Sequence, residues 1–373
     1  MMLQEHKLVY LDYAANYPVK KEVLNEFINV ETNYIGNYNS THALGRQAKA
    51  KFEEYNNGIK RLLKLDNSYD IIYTSSATEA NNLAIKGIVE SYKGFGKKIL
   101  VSEFEHNSVN ATLGYLKTSG YDIEFYDCQD LDDLKKKMSK EVILVISVLI
   151  DSETGLMFDV EAIREILKDY PNAHHLVDAT QAIGKFDFAL NKYEMVSFTP
   201  HKFGGIIGSG VLVKAKDTIL TPIIHGGLSQ SIYRSGSVPL GIIATVYKAL
   251  ELAVNNREDN YYKVKKIHDY LLNKLKEIKN VKINSFDNPY IVNISISGIK
   301  AKDIVSYFDD NDICVSQKSA CSIKNTPSKS VMKLFNDRKR ALESFRISLS
   351  ELVTLTEIDH FITKMKEYIN GKI

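Results

Sequence analysis

Cysteine is scarce in this sequence: Cys128, Cys314 and Cys321 are the only ones. They make no CxxC pair and no disulfide framework, so a secreted disulfide scaffold is excluded and a reducing cytoplasm is the expectation. A surplus of one charge is also missing. The 48 basic residues against 46 acidic ones leave a net charge of +2. That balance gives no electrostatic footprint for nucleic acid or a membrane surface. Lysine runs such as Lys135-Lys136-Lys137 sit beside Asp132 and Asp133 and read as a solvated helix face. The most apolar stretch, Val142 to Ile150, is too short to span a bilayer. Met1 to Lys7 carries Glu5 and no apolar core, unlike a signal peptide. No GxGxxG follows the first strand and no phosphate-loop motif is present, which argues against a nucleotide-binding α/β enzyme.

What is present is an ordinary globular composition, 44% apolar and 25% charged over 373 residues. That length suggests about two domains at ~150 residues each. Strand and helix patterns alternate through the first part. Strands are predicted at Val9–Asp12, Ile71–Thr74, Lys98–Ser102, Ile123–Tyr126 and Val142–Ile150. A helix is expected over Arg46–Leu65 and another from Ser76, where Ser76 and Glu79 have capping-box spacing. Val160–Leu167 reads as a further helix. This alternation implies an α/β fold with a mostly parallel sheet. After Pro239 the pattern changes. Helices run to about Lys279, with Val264, Ile267, Leu271, Leu275 and Ile278 as a core stripe. Strands Ile291–Ile296, Ile313–Ser316 and Phe345–Leu349 follow, with a last helix that Thr354 and Glu357 box and Gly371 ends. This is a smaller α+β C-terminal domain. The predicted division is 16–250 for the large domain and 251–373, with 1–15, for the small one.

The chemistry centres on Val177 to Lys202. One strand ends in Asp178, followed by Ala179-Thr180-Gln181. A second, Glu194–Phe198, runs into Thr199-Pro200-His201-Lys202. Open α/β sheets bind ligands at the carboxyl edge of their strands. An acid and a lysine there read either as a plain ion pair or as a pyridoxal phosphate site. That cofactor requires a lysine amine for a Schiff base and an acid against its ring nitrogen. The strand opening into a capped helix at Ser76 presents backbone N–H groups suited to a phosphate. His106 alone reads as a helix-start histidine. His174 and His175 alternate across a strand and make a poor metal pair; no metal site is expected.

Several stretches then carry a resemblance. They are Leu11-Asp12-Tyr13-Ala14-Ala15, Gly36-Asn37, Ser76-Ala77-Thr78-Glu79-Ala80-Asn81-Asn82, Glu105-His106 and Asp178-Ala179-Thr180-Gln181. His201-Lys202, Arg234-Ser235-Gly236-Ser237, Ser319-Ala320-Cys321 and Arg346-Ile347-Ser348 continue it. In order and over nearly the whole chain, they resemble the NifS/IscS-type cysteine desulfurases. These are class V members of the fold-type I pyridoxal phosphate-dependent transferases. The resemblance implies that Lys202 bonds pyridoxal 5'-phosphate, Asp178 pairs with its ring nitrogen, and Gln181 meets its ring hydroxyl, with Ser152 beside it. His106 would stack on the ring and help move protons. Ala77, Thr78, Thr199 and His201 would hold the phosphate, and Ser237 the phosphate of the other subunit of a homodimer. Arg346 and Asn37 would hold the carboxylate of L-cysteine.

Cys321 carries the expected sulfur chemistry. A free cysteine is usually a small buried hydrophobe. Its flanks, Ser316–Ser319 and Ser322–Ser328, instead form a polar, proline-containing stretch with Lys318 and Lys324. Nearby lysines favour the reactive thiolate. Cys314 reads as core and Cys128 as surface or strand end. The expected activity converts L-cysteine to alanine and leaves a persulfide on Cys321. The acceptor protein would be an iron–sulfur scaffold or a tRNA-thiolation enzyme, with no direct nucleic-acid contact. The alternatives are a selenocysteine lyase, another class V lyase or aminotransferase, and a scaffold with weakened catalysis. Departures from the family pattern are Ser152 where asparagine is usual, Thr199-Pro200 before His201, Leu228-Ser229-Gln230 in the glycine-rich stretch, and Ser350 after Arg346-Ile347-Ser348-Leu349.

Overall fold

The structure is a computed structural model and describes residues 8–318 and 326–372. The chain forms two compact units. The larger comprises Pro18–Ile150 and Phe158–Asn256; the smaller comprises Met1–Tyr17, Asp151–Met157 and Arg257–Ile373. The predicted boundaries at 15/16 and 250/251 differ by a few residues from these. The larger difference is the segment Asp151–Met157, which the sequence reading placed in the large domain and which groups with the smaller unit.

In chain order the strands are β1 (Val9–Tyr10), β2 (Tyr69–Thr74), β3 (Lys98–Ser102), β4 (Asp122–Tyr126), β5 (Val142–Val148) and β6 (His174–Asp178). Then come β7 (Met195–Phe198), β8 (Gly210–Ala215), β9 (Val281–Ile283), β10 (Ile291–Ile296), β11 (Ile313–Cys314) and β12 (Ser344–Ser348). In the larger unit seven strands form one sheet in the order β2-β8-β7-β6-β5-β3-β4. Every pairing from β7 to β4 is parallel, and β8 runs antiparallel to both its neighbours. The sheet is therefore mainly parallel, as the alternation predicted.

Every residue of β5 is buried, as expected of a β-branched strand covered on both faces. Ile72, Leu83, Ile88, Val101, Leu113 and Leu176 share its core. Each such side chain contributes roughly 1.5–3 kcal/mol by leaving water. Strand β8 and the helix Lys21–Asn33 were not predicted. The helix has no side-chain cap at Lys20 and buries only Val23 and Val30. It packs on the Leu240–Asn255 helix, where Glu31 Oε1 accepts from Gly241 N at 3.2 Å.

In the smaller unit β12-β10-β9 form an antiparallel sheet, and β1 pairs with β11 in parallel. Val264, Ile267, Leu271 and Leu275 of the Arg257–Lys276 helix are buried core, while Ile278 of the predicted stripe lies past the helix end and is half-buried. Thr354 and Glu357 box the last helix in both directions. That helix continues to Lys372, so Gly371 lies within it and does not end it. Among the described residues no helix is long and apolar enough to cross a membrane.

Candidate active site

Parallel strands of one direction bring their carboxyl ends to one edge. In the larger unit β2, β3, β6 and β7 deliver Ser76, His106, Asp178 and Thr199 to that edge. Asp178 closes β6 and is buried. Its Oδ1 accepts from Thr180 N at 2.9 Å and its Oδ2 from Asn81 Nδ2 at 3.0 Å. A carboxyl group with a donor on each oxygen is held in one orientation.

His106 is the N-cap of the Asn107–Thr118 helix: its Nδ1 accepts from Ser108 N at 3.1 Å. A ring nitrogen that accepts from an amide carries no proton, which leaves the proton on Nε2. Burial, and the Lys202 ammonium beside it, hold the imidazole below its ordinary value, against the opposing pull of Asp178. His106 is thus both the helix-start residue and a neutral ring near Asp178 and Lys202.

The turn after β2 is built for close approach. Ser76 Oγ accepts from Glu79 N at 3.2 Å, capping the Ala77–Tyr92 helix. Glu79 Oε2 returns the bond one residue earlier than expected, to Ser75 N at 2.7 Å. Arg234 Nε donates to Glu79 Oε1 at 3.0 Å, which ties the Arg234–Ser237 motif to this turn. A Cβ on Gly210 would lie 2.2 Å from the Ser76 carbonyl carbon, so β8 passes the turn where only glycine fits. In the departure stretch, Gln230 pairs with both backbone groups of Tyr73 and covers the open edge of β2.

Lys202 ends a short turn, Pro200–Lys202, directly after β7. Burial, with Lys202 and Lys185 nearby, lowers His201 to about 4, so it is a neutral donor or acceptor. Lys185, not singled out by the sequence, donates from Nζ to Gln181 Oε1 at 2.9 Å and orients that amide. Thr199 closes the same turn. Its hydroxyl donates to Ser209 C=O at 2.7 Å, which ties the end of β7 to the start of β8. Thr180 Oγ1 is buried without a hydrogen-bond partner among the described residues. An anchored acid, a neutral ring, a turn lysine, a capped helix start and an unmatched buried hydroxyl at one sheet edge fit pyridoxal phosphate.

In the smaller unit Arg346 lies on β12 and is 1% exposed. Its Nη1 donates to Ser152 C=O at 2.7 Å and its Nη2 to Asp12 Oδ1 at 2.8 Å. Arg346 Nε is buried with no partner among the described residues. In the Asp151–Thr154 turn beside it, Asp151, Glu153 and Thr154 are buried. Asp151 Oδ1 accepts from Ser330 Oγ at 2.9 Å, and Glu153 accepts from Ser328 Oγ. Burial first, and Asp151 second, push Glu153 up to about 7; burial likewise raises Asp151. Lys318 Nζ donates to Thr326 Oγ1 at 2.5 Å.

Ser319, Ala320 and Cys321 lie outside the described residues. Asn37 is exposed and its Oδ1 accepts from Asn39 N at 2.9 Å. Thr78 and Ser237 are exposed, and Ala77 and Ser152 half-buried. Cys128 is buried beside Ser102, not at the surface, because it turns inward after β4. Cys314 is only half-buried, since β11 is one of just two strands in its sheet. Among the described residues no cluster of ligand side chains is placed to hold a metal.

The aminotransferase class-V family model matches residues 9–361. The chain is 33% identical to cysteine desulfurase IscS of Buchnera aphidicola, over 97% of this chain and 93% of that one. It is 32% identical to a NifS/IcsS protein homolog of Lactobacillus delbrueckii, over 96% and 97% of the two chains. Among solved structures, a NifS-like protein superposes with a TM-score of 0.90 at 28% identity, covering 98% of this chain and 100% of that one. A NifS-like protein of Rickettsia africae gives 0.86 at 29% identity, over 98% and 100%. This chain belongs to the class-V aminotransferase family.

Proposed function

We propose that the protein is a pyridoxal phosphate-dependent cysteine desulfurase. It converts L-cysteine to L-alanine and holds the sulfur as a persulfide on Cys321. An acceptor protein, an iron–sulfur scaffold or a thiolation enzyme, then takes it. The observation that carries this reading is the gathering of Asp178, neutral His106 and Lys202 in one electrostatic neighbourhood at a parallel sheet edge.

Bound pyridoxal phosphate supplies an electron sink for the substrate carbon. Lys202 anchors the group through its amine, and Asp178 keeps the ring nitrogen's proton. Gln181, oriented by Lys185, meets the ring hydroxyl, and His106 lies against the ring. The Ala77 N–H, Thr78, His201 and the helix start hold the phosphate. Ser237, exposed on one subunit, serves the partner subunit of a homodimer. Arg346 and Asn37 hold the substrate carboxylate. The Cys321 thiolate attacks the substrate sulfur. A sulfur–sulfur bond forms, the carbon–sulfur bond breaks, and its electron pair takes up a proton on carbon, releasing alanine.

The experiment is alanine release from L-cysteine by the purified protein given pyridoxal phosphate, with Lys202→Ala beside it. The wild type is expected to make alanine and the variant none. A yellow wild-type protein that makes no alanine would overturn the substrate; a colourless one would overturn the cofactor.

A further inference from the structure

Asn81 is fully buried on the Ala77–Tyr92 helix. Its amide is bonded on three sides within the larger unit. Nδ2 donates to Asp178 Oδ2 at 3.0 Å and to Ser108 Oγ at 3.0 Å. Oδ1 accepts from Ser197 Oγ at 2.5 Å. The carboxylate of Asp178 can only accept, so the atom facing it is the amide nitrogen and the amide has one orientation. Ser108 Oγ, having accepted from Asn81, keeps its own proton to donate. His106 Nδ1 lies 3.0 Å from it and is the acceptor. The chain of bonds therefore runs Ser197 to Asn81, Asn81 to Asp178, and Asn81 through Ser108 to His106. It joins β7, β6 and two helices.

We propose that Asn81 is the positioning residue of this active site: one amide sets the orientation of both the ring-nitrogen acid Asp178 and the ring-stacking His106. The inference rests on the cofactor reading above. Its physical basis is that a fully satisfied buried network admits one arrangement, while removing one member leaves buried donors and acceptors unmatched. It also assigns His106 a definite form. With two donors, Ser108 N and Ser108 Oγ, aimed at Nδ1, the imidazole can become a cation only by giving up both bonds. His106 thus works as a neutral ring with its proton on Nε2. The charged groups facing it are Asp178 and Lys202.

The test uses the holoenzyme and its visible absorption band as a function of pH, together with the affinity of the apoprotein for pyridoxal phosphate. In Asn81→Leu, Asp178 loses a donor and takes up the ring-nitrogen proton more readily. A less protonated ring withdraws fewer electrons, so the Lys202 linkage holds its proton to higher pH. The expected result is an upward shift of the band's pH midpoint by about one unit and affinity weakened about tenfold. Ser108→Ala and Ser197→Ala, each removing one bond to the amide, shift the midpoint the same way by less. Should Asn81→Leu fail to fold, the two serine variants decide alone. Profiles of the folded variants superimposing on the wild type would overturn the proposal. A wild type that binds no pyridoxal phosphate overturns the cofactor reading first, before any variant is compared.

Discussion

Arg346 Nη2 lies 2.8 Å from Asp12 Oδ1, with the arginine fully buried and the aspartate half-buried. Asp12 is therefore the built-in counter-ion of the residue proposed to hold the substrate carboxylate. Ser316 Oγ donates to the other aspartate oxygen at 2.7 Å and fixes its orientation. A buried guanidinium stripped of its counter-ion is strongly destabilising.

Asp12→Ala is accordingly expected to lower the unfolding free energy by about 3 kcal/mol. Urea denaturation followed in the smaller unit measures it. Asp12→Asn, which keeps a hydrogen-bond acceptor, should lose less. An unchanged midpoint in Asp12→Ala would mean that Arg346 is satisfied without Asp12.

Stability should also carry the signature of Glu153. Its folded value is raised from the ordinary 4.5 to about 7, chiefly by burial. The folded protein then binds the proton more tightly than the unfolded chain. The stability this gives is complete below about pH 4.5 and is lost as pH rises through about 7. The fall across that window is about 3 kcal/mol. Glu153→Gln cannot titrate and still accepts from Ser328, so its stability should vary less with pH and exceed the wild type's above pH 7. Parallel pH profiles for the two proteins would refute the assignment.

The turn after β2 gives a third expectation. Gly210→Ala places a methyl group against the Ser76 carbonyl, 2.2 Å from its carbon. Backbone on both sides cannot yield easily, so the substitution should cost about 1–3 kcal/mol. It should also weaken pyridoxal phosphate binding through the displaced helix start. Gly94→Ala, where a Cβ meets nothing within 4 Å, is the matched control and should leave binding unchanged.

The strands that carry the chemistry were legible because their residues are locally consistent. Val142–Val148 is β-branched and buried on both faces, and Lys98–Ser102 matched residue for residue. Strand β8 was not, because it starts at Gly210 within a glycine-rich exit that reads as loop. The Lys21–Asn33 helix was missed because it has no cap and leaves Leu24 and Ile28 exposed.

The site residues were named from motif order, but their partners were not legible. Asn81 sat inside a quoted motif with no role, since only the packed helix shows that its amide meets Asp178. Lys185 is four residues beyond Gln181, on a turn whose geometry the sequence did not reveal. Nothing local marks Asp151–Met157 as part of the smaller unit; its bonds reach Ser328, Ser330 and Asn293, more than a hundred residues away. The Thr199 bond to Ser209 C=O was likewise not legible, since the partner comes from the loop before β8.

The most direct test is the mass of the Cys321-bearing peptide after the holoenzyme is mixed with L-cysteine and no acceptor. The account predicts one added sulfur atom on that peptide, removed by a thiol reductant, with alanine released alongside. Alanine formed while the Cys321 peptide stays unmodified, and unaffected by Cys321→Ala, would contradict the persulfide chemistry.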